Sequence, residues 1–146
     1  MTKGEQAKEL FLNGYNCSQA VVLAFADEMG LDKELAARLT MGFGGGMSRL
    51  REVCGTVSAM TFVISALYPE DKASVYSRVQ EVAGMFREKH GSVVCRELLH
   101  LNIKGADSPV PSPRTVEYYK KRPCPDIVAS AADILENYIK SNPSTK

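Results

Sequence analysis

Four cysteines, Cys17, Cys54, Cys95 and Cys124, carry the most reactive chemistry in this 146-residue chain. A thiolate can attack a disulfide, take part in electron exchange or bind a soft metal, so its surroundings decide its use. None of the four belongs to a CxxC pair, and the local signature of a zinc ribbon or a thioredoxin-like site is absent. The stretch GFGGGMSRLREVCG at 42–55 supplies a second clue. Three consecutive glycines, Gly44, Gly45 and Gly46, exceed what a helix–helix turn requires, because each costs conformational entropy. A backbone this bare can set N–H groups around an anion such as a thiolate or a cluster sulfide. Gly55, directly after Cys54, leaves room for a close neighbour. The stretch is no nucleotide loop: the lysine of GxxxxGK[ST] is missing and no strand precedes it.

The elements that must position these residues read as helices. Glu5 to Leu12 forms a short amphipathic helix with Ala7, Leu10 and Phe11 on one side. Asn16 lies three residues before Gln19, a capping-box spacing, and starts CSQAVVLAFADEM, which Gly30 ends. Asp32 caps KELAARLTM, closed by Gly42. A central helix begins near Ser48–Glu52 and runs through an apolar stretch to Tyr68, helix being preferred over strand because the run is apolar all round. Pro69 reads as a first helical position for a segment carrying Val75, Val79, Val82 and Phe86, closed at His90-Gly91. Ser92 reads as the cap of VVCRELLHL, and NIKGADSPVPSPRT as a long surface connection. TVEYYKKR and DIVASAADILENYIK complete the set. The expected architecture is an all-α, compact single-domain bundle over residues 1–146, with roughly six to eight helices and a polar tail at 141–146.

On this reading the cysteines sit at or near helix N-termini, where exposed N–H groups and the dipole favour anions. Arg49 and Arg51 before Cys54, Arg96 after Cys95, and Lys120, Lys121 and Arg122 before Cys124 act in the same sense, so lowered thiol pKa values are expected. Ser58 shares a helix face with Cys54 and is placed to donate to its sulfur, while Gly55 and Ala59 make a small-residue face. The opposing reading is structural, since free cysteine packs as a small apolar side chain. His90 and His100 read as structural, and YYKKR at 118–122 as a solvated helix face.

Composition narrows the partners. Hydrophobic residues make up 45% and charged residues 24%, with a net charge of +1, so no whole-protein field draws nucleic acid or anionic lipid. The charged start MTKGEQAKELFLNG lacks the apolar run of a secretory signal. The apolar stretch Val53 to Tyr68 is shorter than the roughly 20 residues of a membrane span. The expected location is the cytoplasm, where thiols stay reduced and a static disulfide framework is not expected.

GYNCSQAV at 14–21, GFGGGMSR at 42–49, CGTVSA at 54–59, CRELL at 95–99 and the late Cys124 together resemble the C_GCAxxG_C_C family of redox-active proteins. The family's four cysteines correspond to Cys17, Cys54, Cys95 and Cys124, the second heading a CGAxxG motif whose first glycine is Gly55. Two positions depart from it: Thr56 stands where the motif has alanine, and Ala59 where it has glycine. The resemblance implies a redox role without naming a substrate or cofactor.

Two chemistries fit a converged set. In one, Cys54 as candidate nucleophile attacks a disulfide or oxidant and a second cysteine resolves it, the partner being a redox protein or a small thiol or disulfide. In the other, Cys17, Cys54, Cys95 and Cys124 hold an iron–sulfur cluster or a zinc ion, with Gly44, Gly45, Gly46 and Gly55 framing the site. A non-catalytic helical interaction module with structural cysteines is the competing class, and a homo-oligomer is compatible with any of the three.

Overall fold

The structure, a computed structural model, describes residues 1–144; residues 145 and 146 of the expected tail, and the side chains of Lys120 and Lys121, lie outside that description. Its helices are α1 (Lys3–Leu12), α2 (Cys17–Ala24), α3 (Ala26–Met29), α4 (Lys33–Thr40), α5 (Gly55–Leu67), α6 (Lys72–His90), α7 (Cys95–Leu98), α8 (Val116–Lys121) and α9 (Cys124–Ser141). The fold is all-α as expected, and the nine helices among the described residues slightly exceed the six to eight anticipated. The extra one arises at Phe25, whose ψ of 9° ends α2 and lets a separate single turn, α3, carry the chain to Gly30 in the left-handed region.

The caps follow the sequence. Asn16 accepts from the Gln19 N–H at 2.9 Å while the Gln19 side chain accepts from the Asn16 N–H at 3.0 Å, completing the capping box that holds Cys17 as the first residue of α2. Asp32 caps α4 through the Leu35 N–H, and Asp71 caps α6 through the Ser74 N–H. Pro69 therefore lies outside α6, because Asp71 offers the oxygen that an N-terminus needs. Gly91, at φ 90°, closes α6.

Three starting points differ from expectation. The central helix α5 begins at Gly55, not within Ser48–Glu52. Met47, Ser48, Arg49 and Arg51 all adopt left-handed φ, which no helix admits. The helix expected from Ser92 shrinks to the single turn α7, with Ser92 Oγ accepting from the Val94 N–H just ahead of it. Residues 44–47 carry helix-like hydrogen bonding, but Gly45 (φ 69°) and Gly46 (φ 67°) make them a left-handed glycine turn.

The core lies between α2, α5 and α9. Val21, Val22, Met60, Val63, Ile64, Val128 and Leu135 are fully buried, each contributing about 1.5–3 kcal/mol of apolar burial. Small residues, Ala20, Ala59, Ala131 and Ala132, let these helices approach closely. Val82 and Phe86 bring α6 onto this core, with Val75 and Val79 partly buried beside them. Among the described residues there is no strand, only an antiparallel bridge between Val53 and Val94. No helix among them is long and apolar enough to cross a membrane.

Asn16 also donates to the Met41 carbonyl at 2.8 Å, so one side chain caps α2 and holds the end of the α4 connection. Asn16→Ala is expected to lower unfolding free energy by about 1–2 kcal/mol, the upper part of the range for a lost cap. Urea denaturation of the reduced protein measures it, and an unchanged midpoint would contradict the role assigned to this cap.

Candidate functional site

All four cysteines occupy helix starts: Cys17, Cys95 and Cys124 are first residues of α2, α7 and α9, and Cys54 is the N-cap of α5. All four are free thiols and all line one cavity of about 700 Å³. Cys54 and Cys95 are buried, while Cys17 and Cys124 are half-buried. Chain order conceals this convergence, since it depends on how α2, α5, α7 and α9 meet at one end of the bundle.

The glycines are explained by what presses on them. A Cβ on Gly55 would sit 2.6 Å from Cys17 Sγ and 2.8 Å from the Phe43 carbonyl oxygen. A Cβ on Gly46 would meet Cys95 Cβ at 2.6 Å and the Arg51 backbone at 2.8 Å. One on Gly44 would collide with the Asn16 side chain. Gly45 directs its N–H at the Cys17 sulfur, one element of the anion nest that a glycine turn can form. Gly44, Gly45 and Gly55 line the cavity, and Gly46 backs Cys95 from behind it.

The turn is bolted to α7 by main-chain bonds. Cys54 N–H donates to the Val93 carbonyl at 2.8 Å, Cys95 N–H to the Glu52 carbonyl at 2.6 Å, and Arg96 N–H to the Arg51 carbonyl at 3.2 Å. Arg96 adds side-chain bonds to the carbonyls of Leu50, Arg51 and Ile103, so this cation staples the loop and does not face a thiol. Arg51, only 3% exposed, takes the role that sequence proximity suggested for Cys54 and turns it to Cys95. Its Nη1 lies 3.6 Å from Cys95 Sγ, and Nε and Nη2 donate to Asp107 Oδ2 at 3.2 and 3.0 Å. Arg49 shares Asp107 at 3.3 Å. The hydrogen bond expected from Ser58 to Cys54 is made instead by Thr56, whose Oγ1 lies 3.1 Å from Cys54 Sγ. Thr56 is one of the two positions that depart from the CGAxxG pattern, so the departure adds a polar partner to the sulfur.

The expected lowering of thiol pKa is overturned at three positions. Burial pushes Cys54 up to about 12, with the neighbouring Cys17 sulfur adding to the rise and the Thr56 hydroxyl opposing it. Burial, followed by the Cys17 and Cys95 sulfurs, pushes Cys124 up to about 12. Burial also raises Cys17, although the Gly45 N–H works against it. The magnitudes explain the outcome. A helix terminus contributes about 0.3–1 kcal/mol, less than one pKa unit, whereas full burial shifts a group by about 3–5 units.

The connection 102–115, expected as a surface loop, lines the cavity through Pro109, Pro111, Ser112 and Arg114. Arg114 ties it down by donating to the carbonyls of Phe11 and Tyr15 while stacking on the Phe11 ring. Its three prolines and single glycine gave no hint of this, because the contacts are with residues about a hundred positions away. His90 is structural, bonded to Ser130 Oγ at 2.9 Å and packed on Phe86. Among the described residues no three Cys, His, Asp or Glu side chains are grouped to hold a metal ion.

Two outcomes follow. Because the folded pKa of Cys54 exceeds the ordinary thiol value of 9.0, unfolding releases its proton in alkaline solution. The resulting stability is complete below about pH 9 and is lost as pH rises towards about 12. Urea midpoints of the reduced protein should fall more steeply over this interval than those of Cys54→Ala; parallel curves would contradict the assignment. Gly55→Ala should displace the Cys17 sulfur and destabilise the fold by about 1–3 kcal/mol, the usual cost of overpacking. Denaturation together with the native alkylation rate of Cys17 reads both effects, and unchanged values would show that the contact yields freely.

Neither the curated proteins nor the solved structures contain a match to the chain. A family model described as "Putative redox-active protein (C_GCAxxG_C_C)" matches residues 15–138, a span that includes all four cysteines and the glycine turn. The chain therefore belongs to the C_GCAxxG_C_C family.

Proposed function

We propose that the protein exchanges thiols and disulfides, cycling a pair of its cavity cysteines between two thiols and one disulfide. The observation that carries this reading is the enclosure of four free thiols in one cavity with a buried guanidinium on the sulfur of one of them. Cys95 is the attacking residue in this scheme. Arg51 gives its sulfur a cationic donor, whereas burial holds Cys54, the nucleophile expected from sequence, protonated up to about 12. Cys17 is the resolving residue in this scheme: its sulfur interacts with that of Cys95 across the cavity, as it does with those of Cys54 and Cys124.

The step balances as a two-electron exchange. Cys95 releases its proton to water and its thiolate attacks one sulfur of a substrate disulfide. The substrate S–S bond breaks, and the leaving sulfur departs as a thiolate that takes up a proton. Cys17 then loses its proton and attacks the Cys95 sulfur, closing Cys17–Cys95 and releasing the second substrate thiol. The protein pair is oxidised and the substrate is reduced to two thiols. A dithiol reductant reverses the protein half of the cycle, so a redox partner of that class is part of the proposal. The cytoplasm is the compartment that suits it.

Reduced protein treated with a stoichiometric small disulfide should form one intramolecular bond, mapped by mass spectrometry to Cys17–Cys95. Cys95→Ser should slow that reaction by at least about 100-fold, while Cys54→Ser should retain it, as the roles assigned to the two sulfurs require. If no pair forms and all four thiols resist alkylation in the native state, the cysteines are structural. If anaerobically prepared protein carries stoichiometric iron and acid-labile sulfide, the cysteines serve a cluster and the proposed cycle is wrong.

A further inference from the structure

We infer that the thiol cavity is built for anionic disulfides, that is, disulfides bearing carboxylate or similar acidic groups, recognised by an arginine lining. The inference rests on the thiol–disulfide reading and names its substrate class. Five of the chain's eight arginines, Arg38, Arg49, Arg51, Arg114 and Arg122, line the cavity that holds the four cysteines. Among the described lining residues there is no aspartate, glutamate or lysine. A net charge of +1 for the whole chain makes this a segregation of positive charge, not a by-product of overall basicity.

The arginines are only partly neutralised. Asp107, from outside the lining, is shared by Arg49 and Arg51 and cancels one of the five charges. Arg114 donates to the main-chain carbonyls of Phe11 and Tyr15, which hold the guanidinium in place without removing its charge. Arg122 stacks over the Tyr118 ring, 5.5 Å from its centroid, beside Cys124. Arg38 makes no ion pair with a described residue. Guanidinium groups match carboxylates through paired N–H donors, and they do so best where water is partly excluded.

The rest of the lining suits the same class of molecule. Met41, Pro109 and Pro111 offer exposed apolar surface for a carbon frame, and about 700 Å³ lies within the range of small-ligand pockets. Charge and reactivity are also co-located. Arg51 reaches Cys95, so the cations that attract an acidic disulfide lie at the sulfur proposed to attack it. The two thiols released would carry the same acidic groups and would meet the same lining on departure.

The test compares two disulfides that differ in charge sign. Reduced protein is mixed at low salt with dithiodiglycolate, a dianion, or with cystamine, a dication, each rate being divided by that for the same disulfide with dithiothreitol. The expected ratio favours the dianion by at least about tenfold, within the range of electrostatic steering, and shrinks as salt is added. The double variant Arg38→Gln/Arg122→Gln, at one exposed and one half-buried position, should lower the ratio several-fold with unchanged circular dichroism. A ratio near one while oxidation proceeds would overturn the charge selection and leave the thiol–disulfide reading standing. If neither disulfide oxidises any pair, that reading fails. Calorimetric titration with thiodiglycolate, a dianionic thioether that cannot be reduced, then judges the arginine lining by itself. Binding that the double variant weakens supports an anion site, and the absence of binding overturns it.

Discussion

The buried guanidinium of Arg51 is the interaction on which the cysteine end of the molecule depends. A charge removed from water costs several kcal/mol unless it is paired and hydrogen-bonded. The Arg51 guanidinium meets that condition by joining two distant pieces of chain, Asp107 from the long connection and Cys95 at the start of α7, while its main-chain N–H donates to the Gly45 carbonyl in the turn. Its pKa is held above the ordinary arginine value: burial opposes the charge, and the bonds to Cys95 and Asp107 outweigh it. Remove this knot and the glycine turn, α7 and the connection lose their common point of attachment.

The path of residues 44–51 follows from that attachment. Met47, Ser48, Arg49 and Arg51 sit in the left-handed region, each at a cost of roughly 1–2 kcal/mol relative to ordinary backbone. The compensation is tertiary, in the bonds from Glu52 to Gly46, from Cys95 to Glu52 and from Asp107 to Arg49. Glycines at 44, 46 and 55 let side chains of Asn16, Cys95 and Cys17 press directly on the main chain. The consequence for chemistry is a site in which burial, the largest effect on three of the thiols, holds them in the neutral form. Reactivity must then come from a specific partner, and Arg51 supplies one to Cys95.

Local signals carried the framework well. Asn16 with Gln19, Asp32 and Gly91 act where their chemistry required, because capping needs only neighbouring backbone. Val82 and Phe86 are buried as their spacing implied. The start of α5 was misplaced because left-handed backbone at Ser48, Arg49 and Arg51 is forced by contacts with residues 93–107, invisible at short range. The two members of the CGAxxG segment that differ from the motif were legible as departures. That Thr56 bonds the Cys54 sulfur was not, since a rotamer and a shared burial decide it.

The amino-acid sequence alone determined the all-α class, the helix-start positions of the cysteines and the family, because each rests on residue type and local spacing. It also determined that the turn before Cys54 is abnormally bare. Tertiary structure decided the rest. It brought four separate thiols and five arginines to one cavity, turned Arg51 from Cys54 to Cys95, and drew the proline-rich connection over the site. It also reversed the direction of three thiol pKa values. The physical reason is that convergence and desolvation are properties of the assembled interior, where burial outweighs the dipole that each helix start carries locally.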